Sequence, residues 1–418
     1  SEQDFGIKRM LHHLELRFLQ SIRHLFNNGQ TIPARIAISL SGGLDSMCLT
    51  HLLHKVNQHE NLGIQIHTIS MDHGLRDESS EEINFIGEEI KKLGLYETFH
   101  NSKLNFAELK PEDSFEEVAR VQRYNTLHSI CQNFEIHHLM TGHHFDDNLE
   151  TFVLRLFGNS GIMGLRGIQR KSIAPSPQSP NESMHRLNLI RPLLDFTKME
   201  LYTYAKENNI KWVEDHTNGL EITKRNTVRS YLRQNPSKQL ELVEVYNQVL
   251  EFTDMIEHRV DQVYQTLRND QKIDFSARGL RIQFDNKILD ENSNLVIAVL
   301  LFKLFYPYSP SSNYHYSFHK VLKTIPALKS QKQFTLLQLK WNLVHNENTT
   351  VLTIRKQNTP TPSSQNIMIP PLSHTKWFLF DNIYWFQFIN PSSREQHLLL
   401  KSITIADKPA RAKIGGKS

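Results

Sequence analysis

Cysteine is nearly absent from this sequence: Cys48 and Cys131 are the only two in 418 residues, far apart and outside any CxxC spacing. That excludes a disulfide framework and a cysteine-held zinc site. Cys48 sits among Met47, Leu49 and Leu52 and reads as inert packing. No apolar run approaches the length of a membrane span, and hydrophobic residues make up 39% against 22% charged, the balance of a soluble globular chain. The opening segment SEQDFGIKRMLHHLELRFLQSIRHLF has early acidic residues and helically spaced Leu14, Phe18, Leu19, Ile22 and Leu25, and it lacks the basic start and apolar block of a signal peptide. A cytoplasmic location without membrane attachment is the default expectation. An excess of one charge is also missing. Lys and Arg number 48 and Asp and Glu 44, a net +4 too small to mark nucleic-acid binding by itself. The basic residues are nonetheless concentrated. Arg166 to Arg233 holds 12 Lys and Arg against 7 acids, and Lys401 to Lys417 holds five against one. No internal repeat or low-complexity block is visible.

The length exceeds one ordinary core and predicts two or three domains. RIAISL, from Arg35 to Leu40, follows Pro33, ends at glycines and leads into a helical pattern of Leu44, Cys48, Leu52 and Val56. This is strand, tight loop, helix. IQIHTISMD from Ile64 and the helix expected over Glu81 to Leu93 repeat the order, and a helix from Phe115 to Cys131 leads into HHLMTGHH and the run Leu149, Phe152, Val153, Leu156. Such alternation predicts an α/β fold with a doubly wound, Rossmann-like parallel sheet whose ligands sit beyond the carboxyl ends of the strands. QRKSIAPSPQSPNESMHRL reads as a long mobile loop before LNLIRPLLDF resumes a strand. From Val228 to about Arg268 the pattern is helical and carries the chain into a second, mainly helical α+β domain. That domain contains strand-like FSARGLRIQF, helical LVIAVLLFKLF and a hairpin-like pair in FTLLQLKWNLVHNENTTVLTIRK. NTPTPSSQN is a linker to a small β-rich piece with KWFLFDNIYWFQF. The expected domains are residues 1–225, 226–357 and 367–418.

The sharpest motif is SLSGGLDSM. Ser41, Gly42, Gly43, Leu44, Asp45 and Ser46 lie between a strand and a helix N-terminus. Glycines let the backbone turn tightly and approach a ligand, and free N–H groups with the helix dipole favour an oxyanion. Asp45 adds a carboxylate suited to a metal ion. No GK[ST] or GxGxxG follows, so this is neither a Walker A loop nor a dinucleotide fingerprint. A bare tight turn would explain the glycines but not the hydroxyls and carboxylate beside them. In GHHFDDNLET, adjacent His143 and His144 cannot both face one ion from a regular strand, which disfavours zinc. Asp147 and Glu150 are three apart and share a helix face. Arg120, Arg225 and Arg229 read either as surface cations or as phosphate contacts.

These motifs resemble the pyrophosphatase-loop enzymes, which split ATP into AMP and pyrophosphate to activate a carbonyl as its adenylate. MDHGLR (Met71 to Arg76), EEVARVQRY (Glu116 to Tyr124), GHHFDDNLET, the LFGNSGIMGLRGI run, and IRPLL followed by DHTN and KRNTVR narrow the resemblance to the tRNA(Ile)-lysidine synthetases, in the family's order up to about Arg233. The resemblance implies a ligase. ATP adenylates C2 of the wobble cytidine in the CAU anticodon of tRNA(Ile), and the ε-amine of L-lysine displaces AMP to give lysidine. It implies that Ser41 to Ser46, Met71, Arg76 and His143 hold ATP. Mg²⁺ falls to Asp45 and Asp147, and the chemistry to Asp45, Asp147, Glu150, Arg120 and Arg225. A proton must leave the attacking amine, and Asp147 or Glu150 is the candidate acceptor. The resemblance makes the first domain the ATP pyrophosphatase and the second a tRNA-binding domain; a homodimer is compatible with the sequence. Alternatives are another pyrophosphatase-loop tRNA-modifying or amidating enzyme and a non-catalytic tRNA-binding module. A thiolase would need reactive cysteines. The chain lacks an initiator Met and stops at KIGGKS, where relatives continue through a basic C-terminal domain, so a fragment or a reduced form is expected.

Overall fold

The structure is a computed structural model that describes residues 11–26, 32–72, 79–103, 115–174, 187–214, 224–276, 279–305 and 314–356, with strand segments at 364–369, 373–374, 378–380, 384–386, 389–390 and 396–401. In chain order its first elements are α1 (His13–Phe26), β1 (Arg35–Ser39), α2 (Leu44–Glu60), β2 (Gln65–Asp72), α3 (Ser79–Lys92), β3 (Phe99–Lys103), α4 (Phe115–Asn133), β4 (His138–Met140) and α5 (Phe145–Phe157). Then come α6 (Ile162–Leu165), β5 (Lys171–Ile173), β6 (Asn188–Ile190), α7 (Lys198–Glu207), α8 (Lys224–Gln234) and α9 (Pro236–Asn269). Two compact units divide the chain. The first ends at Asn247, inside α9; residues 160–164 and the chain from Gln248 onward belong to the second.

The first unit is built on a six-stranded sheet in the order β3-β2-β1-β4-β6-β5. Five strands are parallel, and β5 pairs antiparallel with β6 at the edge. The doubly wound α/β expectation thus holds, with one antiparallel edge strand added. Lys171–Ile173 lies in the stretch read as a long loop; residues 175–186 of that loop lie outside the described ones. Strand β1 shows why the sheet is central. Ile36 and Ile38 join the core formed with α1, α2 and α7, whereas Ala37 joins a second core with Leu127 and Cys131 of α4 on the other face. Both faces are covered, as a parallel sheet requires.

Strands β1, β4 and β6 are neighbours, and each hands the chain to a helix beginning at the same end of the sheet: α2, α5 and α7. Hydrogen bonds continue past the strands, with Leu40 N–H donating to Ile69 O at 2.8 Å and Thr141 N–H to Ile190 O at 3.0 Å. They hold the connecting loops in register with the ladder. The helical pattern expected from Val228 to Arg268 is two helices. Asn235 separates them, and Pro236, which has no N–H to donate, starts α9.

The second unit contains β7 (Ile273–Ser276), β8 (Gly279–Asp285), α10 (Asn286–Glu291), α11 (Asn294–Phe305), α12 (Tyr314–Thr324), β9 (Gln333–Leu336), β10 (Leu339–His345) and β11 (Thr349–Lys356). Its five strands form an antiparallel sheet, β7-β8-β11-β10-β9, around a core of Trp341, Phe284, Phe302 and Phe305. The expected hairpin pair is three strands, because Leu337 and Gln338 make a two-residue turn with φ of 53° and 60°. The remaining strands pair two by two: β12 (Ser364–Ile369) with β17 (Gln396–Lys401), β13 (Ser373–His374) with β16 (Ile389–Asn390), and β14 (Phe378–Phe380) with β15 (Tyr384–Phe386). Among the described residues no helix is long and apolar enough to cross a membrane.

Candidate functional site

The loop between β1 and α2 carries Ser41 to Ser46. Gly42 has φ of +81°, and a Cβ there would stand 2.4 Å from Ile86 Cδ1, so only glycine fits. Its carbonyl accepts from Val213 N–H at 2.9 Å. Ser46 Oγ donates to Gly43 O at 3.1 Å and lies 3.1 Å from Ser41 Oγ, so the two hydroxyls brace the turn. A second loop, between β4 and α5, comes against this one. A Cβ on Gly142 would lie 3.1 Å from both Asp45 C and Ser46 N, so the close approach of the two backbones depends on that glycine. His143 Nδ1 is 2.8 Å from Thr141 Oγ1, and burial holds its imidazole down at about 4, neutral at physiological pH.

A cleft of about 880 Å³ opens over these loops, lined by Leu44 and Asp45 of α2, by His144 just before α5, by Asp146, Asp147, Leu149 and Glu150 of α5, and by Lys198, Met199 and Tyr202 of α7. From α8 it takes Arg229, Leu232 and Arg233. Three helices therefore start at one cavity with their positive dipole ends, although the first N–H of α5 is taken by Phe196 O and that of α7 by Asp146. That field favours anions, yet the first turns of α2 and α5 hold carboxylates, Asp45, Asp146 and Asp147. A site that stabilises polyphosphate and also offers hard oxygen ligands is suited to a phosphate chain with a divalent cation.

The carboxylates are handled unequally. Asp45 is chelated by Lys198, whose Nζ donates to Oδ1 at 2.7 Å and Oδ2 at 2.8 Å. With side-chain exposures of 42% for Lys198 and 27% for Asp45 the pair is semi-exposed, the kind of ion pair worth about 0–1 kcal/mol. Asp146 accepts from Lys198 N–H at 2.7 Å and so fastens the start of α7 to α5. Asp147 accepts from His144 N–H at 3.1 Å and lies 3.5 Å from His144 Nε2. His144 is buried, which pulls its pKa down, but Asp146, Asp147 and Asp45 together outweigh burial and raise it. Its Nδ1 stands 3.6 Å from Asp146 Oδ2, ion-pair distance without a hydrogen bond.

Glu150 has a side chain only 4% exposed and is held from two sides, by Arg225 Nε at 2.9 Å and by Arg229 Nε at 2.6 Å and Nη2 at 3.0 Å. Glu150 keeps the Arg229 guanidinium charged, raising an already high pKa. Arg225 also donates to Asp147 O at 3.1 Å. Helix α8, whose buried residue is Leu232, is thus fixed to α5 mainly through one carboxylate.

The site residues expected from sequence separate into groups. Ser41 to Ser46, Asp147, Glu150, Arg225 and Arg229 come together, and His143, next to the lining residue His144, does not itself line the cleft. Arg120 is exposed on α4 and is not among the described residues lining the cleft; Met71, at the end of β2, packs on the core of the opposite sheet face. Arg76 and the DHTN segment lie outside the described residues. The sequence reading missed Lys198. A signal was present: TKME is a capping box, with Thr197 Oγ1 accepting from Glu200 N–H at 3.2 Å, and it places Lys198 at the first position of a helix, where the dipole disfavours a cation. Both cysteines are buried, with thiols pushed up to about 12 by burial, so neither offers a reactive thiolate.

The profile of the PP-loop domain matches residues 14–236, more than half of the chain and all of the cleft lining except Gln239. The chain belongs to the PP-loop family. Among curated PP-loop relatives, it is 37% identical over 218 residues to the tRNA(Ile)-lysidine synthase of Rickettsia bellii, covering 51% of this chain and 46% of the relative. With the tRNA(Ile)-lysidine synthase of Wolbachia pipientis wMel it shares 32% over 227 residues, 54% of this chain and 48% of the relative. The matched region thus spans about half the length of the curated relatives. Among solved structures, a U34-tRNA thiolase from Methanococcus maripaludis with its [4Fe-4S] cluster aligns at 16% identity and a TM-score of 0.43 over 57% of this chain and 80% of that one.

Proposed function

We propose that this PP-loop protein is a tRNA(Ile)-lysidine synthetase, which uses ATP to activate C2 of the wobble cytidine in a CAU anticodon and joins lysine to it. The observation that carries the reading is one cleft holding the phosphate-loop backbone, three helix N-termini, a chelated Asp45 and a cluster of carboxylates beside two arginines. Lysidine formation needs sites for a triphosphate, a metal ion and a cationic amine, and this cleft has groups for each. The relatives' names favour the same substrate class.

The residues have separable tasks. Ser41 to Ser46 and the N-termini of α2, α5 and α7 receive the phosphates and stabilise the charge that grows on pyrophosphate as it leaves. Asp45 and Asp147 are the hard donors that would hold Mg²⁺. The donor set fits that ion, because Asp45 already grips a cation with both oxygens, and among the described residues there is no closed cage of three or more acidic, His or Cys groups. Mg²⁺ is usually bound by one or two carboxylates plus substrate phosphates. When bound, it would supply charge neutralisation on the phosphates. The O2 oxygen of cytidine attacks the α-phosphorus, pyrophosphate departs, and the lysine amine then adds at C2 and expels AMP.

The attacking amine needs a proton acceptor. Glu150, neutralised by two guanidiniums, is poorly placed for that task, and Asp147, whose carboxylate has His144 at its edge, is the better acceptor. Arg120 has no assigned contact on this reading. A basic α8, with Lys224, Arg225, Arg229 and Arg233, borders the cleft and supports an RNA backbone there. The test is incubation of the purified chain with ATP, Mg²⁺, labelled lysine and a CAU-anticodon transcript. ATP-dependent label in the RNA is expected. Pyrophosphate release without label at saturating RNA and lysine would overturn the assignment in favour of another PP-loop reaction.

A further inference from the structure

We propose that Lys198 is an exchangeable counter-ion. It holds Asp45 while the cleft is free of metal, and it transfers to a phosphate oxygen of the nucleotide when a divalent cation takes Asp45. The proposal rests on the nucleotide–Mg²⁺ reading of the cleft.

Position is the first argument. Lys198 is the first residue of α7, where the helix dipole repels an ammonium, and among the described groups near its head the carboxylate of Asp45 compensates that repulsion directly. Its main chain is fixed at the same time. The capping box of Thr197 and Glu200 and the 2.7 Å bond from Lys198 N–H to Asp146 Oδ2 locate the Cα, whereas the flexible stem ends in a half-exposed head. Anchoring at the root with freedom at the tip is what an exchanging side chain requires.

Charge is the second argument. Without ligand, Lys198 and Asp45 cancel. A divalent cation on Asp45 leaves the ammonium unpaired beside a dipole that opposes it. The ligand that arrives with the metal is a polyanion bound over the same three N-termini, so the released ammonium has its partner at hand. Arg229, by contrast, is tied up by a buried carboxylate through two contacts, at 2.6 and 3.0 Å, and cannot make this move without leaving Glu150 to Arg225 alone. Lys198 is a compact point charge on a flexible stem, the side chain suited to the shift.

The exchange makes a prediction that a purely structural salt bridge does not. Replacing Lys198 removes a competitor for Asp45, so the ligand-free Lys198→Met protein should bind Mn²⁺ alone several-fold more tightly than wild type, measured by electron paramagnetic resonance. The same variant should bind Mg²⁺·ATP at least tenfold more weakly by calorimetry. Lys198→Arg, which keeps the charge, should recover most of the nucleotide affinity. Thermal midpoints of both variants establish that they are folded, and Lys198→Gln replaces Lys198→Met if the latter is not. Wild type that binds no Mg²⁺·ATP would sink the nucleotide reading and the exchange with it. Wild type that does bind, with Mn²⁺ affinity unchanged or weakened in Lys198→Met, would overturn the exchange and leave the nucleotide reading standing.

Discussion

Asp45 and Glu150 are both acidic and both line one cleft, and they differ in what a substitution should do. Asp45 is partly exposed and paired with a half-exposed ammonium. Asp45→Asn should therefore leave the thermal midpoint within a few degrees of wild type while lowering ATP-dependent pyrophosphate release by roughly 10²–10³-fold, the scale of losing one preorganised electrostatic group. Pyrophosphate assay and thermal melt on one preparation check both halves; wild-type turnover would remove Asp45 from the metal role. Glu150 is buried under two guanidiniums. Glu150→Gln leaves charged donors against a neutral amide and should cost about 1–3 kcal/mol, read from urea unfolding. Asp147→Asn loses a Mg²⁺ donor and the proton acceptor together, so pyrophosphate release should fall and lysine incorporation should fall further. Equal loss of the two activities would assign Asp147 to ATP or Mg²⁺ alone.

At the scale of elements, the start of α7 depends on Thr197, and Thr197→Ala should lower stability by about 1 kcal/mol through the lost cap. Because Lys198 is the next residue, the same change should weaken Mg²⁺·ATP binding, which titration of the variant would reveal. The pairing of β2 with β3 carries a different dependence. His67 Nδ1 lies 3.0 Å from His100 Nε2 with the rings stacked beside Phe134, and burial, then His100 and Arg35, hold the His67 imidazole down at about 4. An unfolded histidine titrates near 6.5, so between about 6.5 and 4 the unfolded chain binds a proton that the folded one refuses. This contribution is complete above about 6.5 and is lost as pH falls toward 4, a trend that His67→Phe should flatten in denaturation measured across that range.

These elements also show what the sequence could disclose. Strand β1 was legible because Pro33 precedes its apolar run and the glycines end it, and α2 and α5 because apolar spacing restarts at once. The turn between β9 and β10 was not, since Leu337 and Gln338 adopt positive φ with no Gly, Asn or Asp to announce it. The Asn235–Pro236 break was hidden by apolar spacing that continues in phase across it. In the cleft, the glycine loop and Asp147 stood out as motifs, whereas Lys198 comes from 153 residues after Asp45, a pairing that only the adjacency of β1, β4 and β6 creates.

Across the whole molecule, each unit has a core of its own, the first on Ile36, Ile38, Leu49 and Leu52 and the second on Trp341, Phe302 and Phe305. Trp341→Ala should therefore cost about 3–5 kcal/mol in the second unit. Mg²⁺·ATP affinity, a property of the first, should stay within twofold of wild type below the unfolding transition. Calorimetric titration beside a thermal scan separates the two; a parallel fall in affinity would mean that the units are energetically coupled.

The start of three helices at one cavity has a consequence for how this protein can be interrogated. On the proposed reading, main-chain N–H groups, which every L-residue except proline supplies equally, contribute to the grip on an anion there. A side-chain scan is blind to them and will credit the cleft's affinity to the few residues it can alter. Semisynthesis that turns the peptide amide at Leu44 into an ester deletes one donor while leaving every side chain in place, and the affinity that vanishes is the backbone's own share.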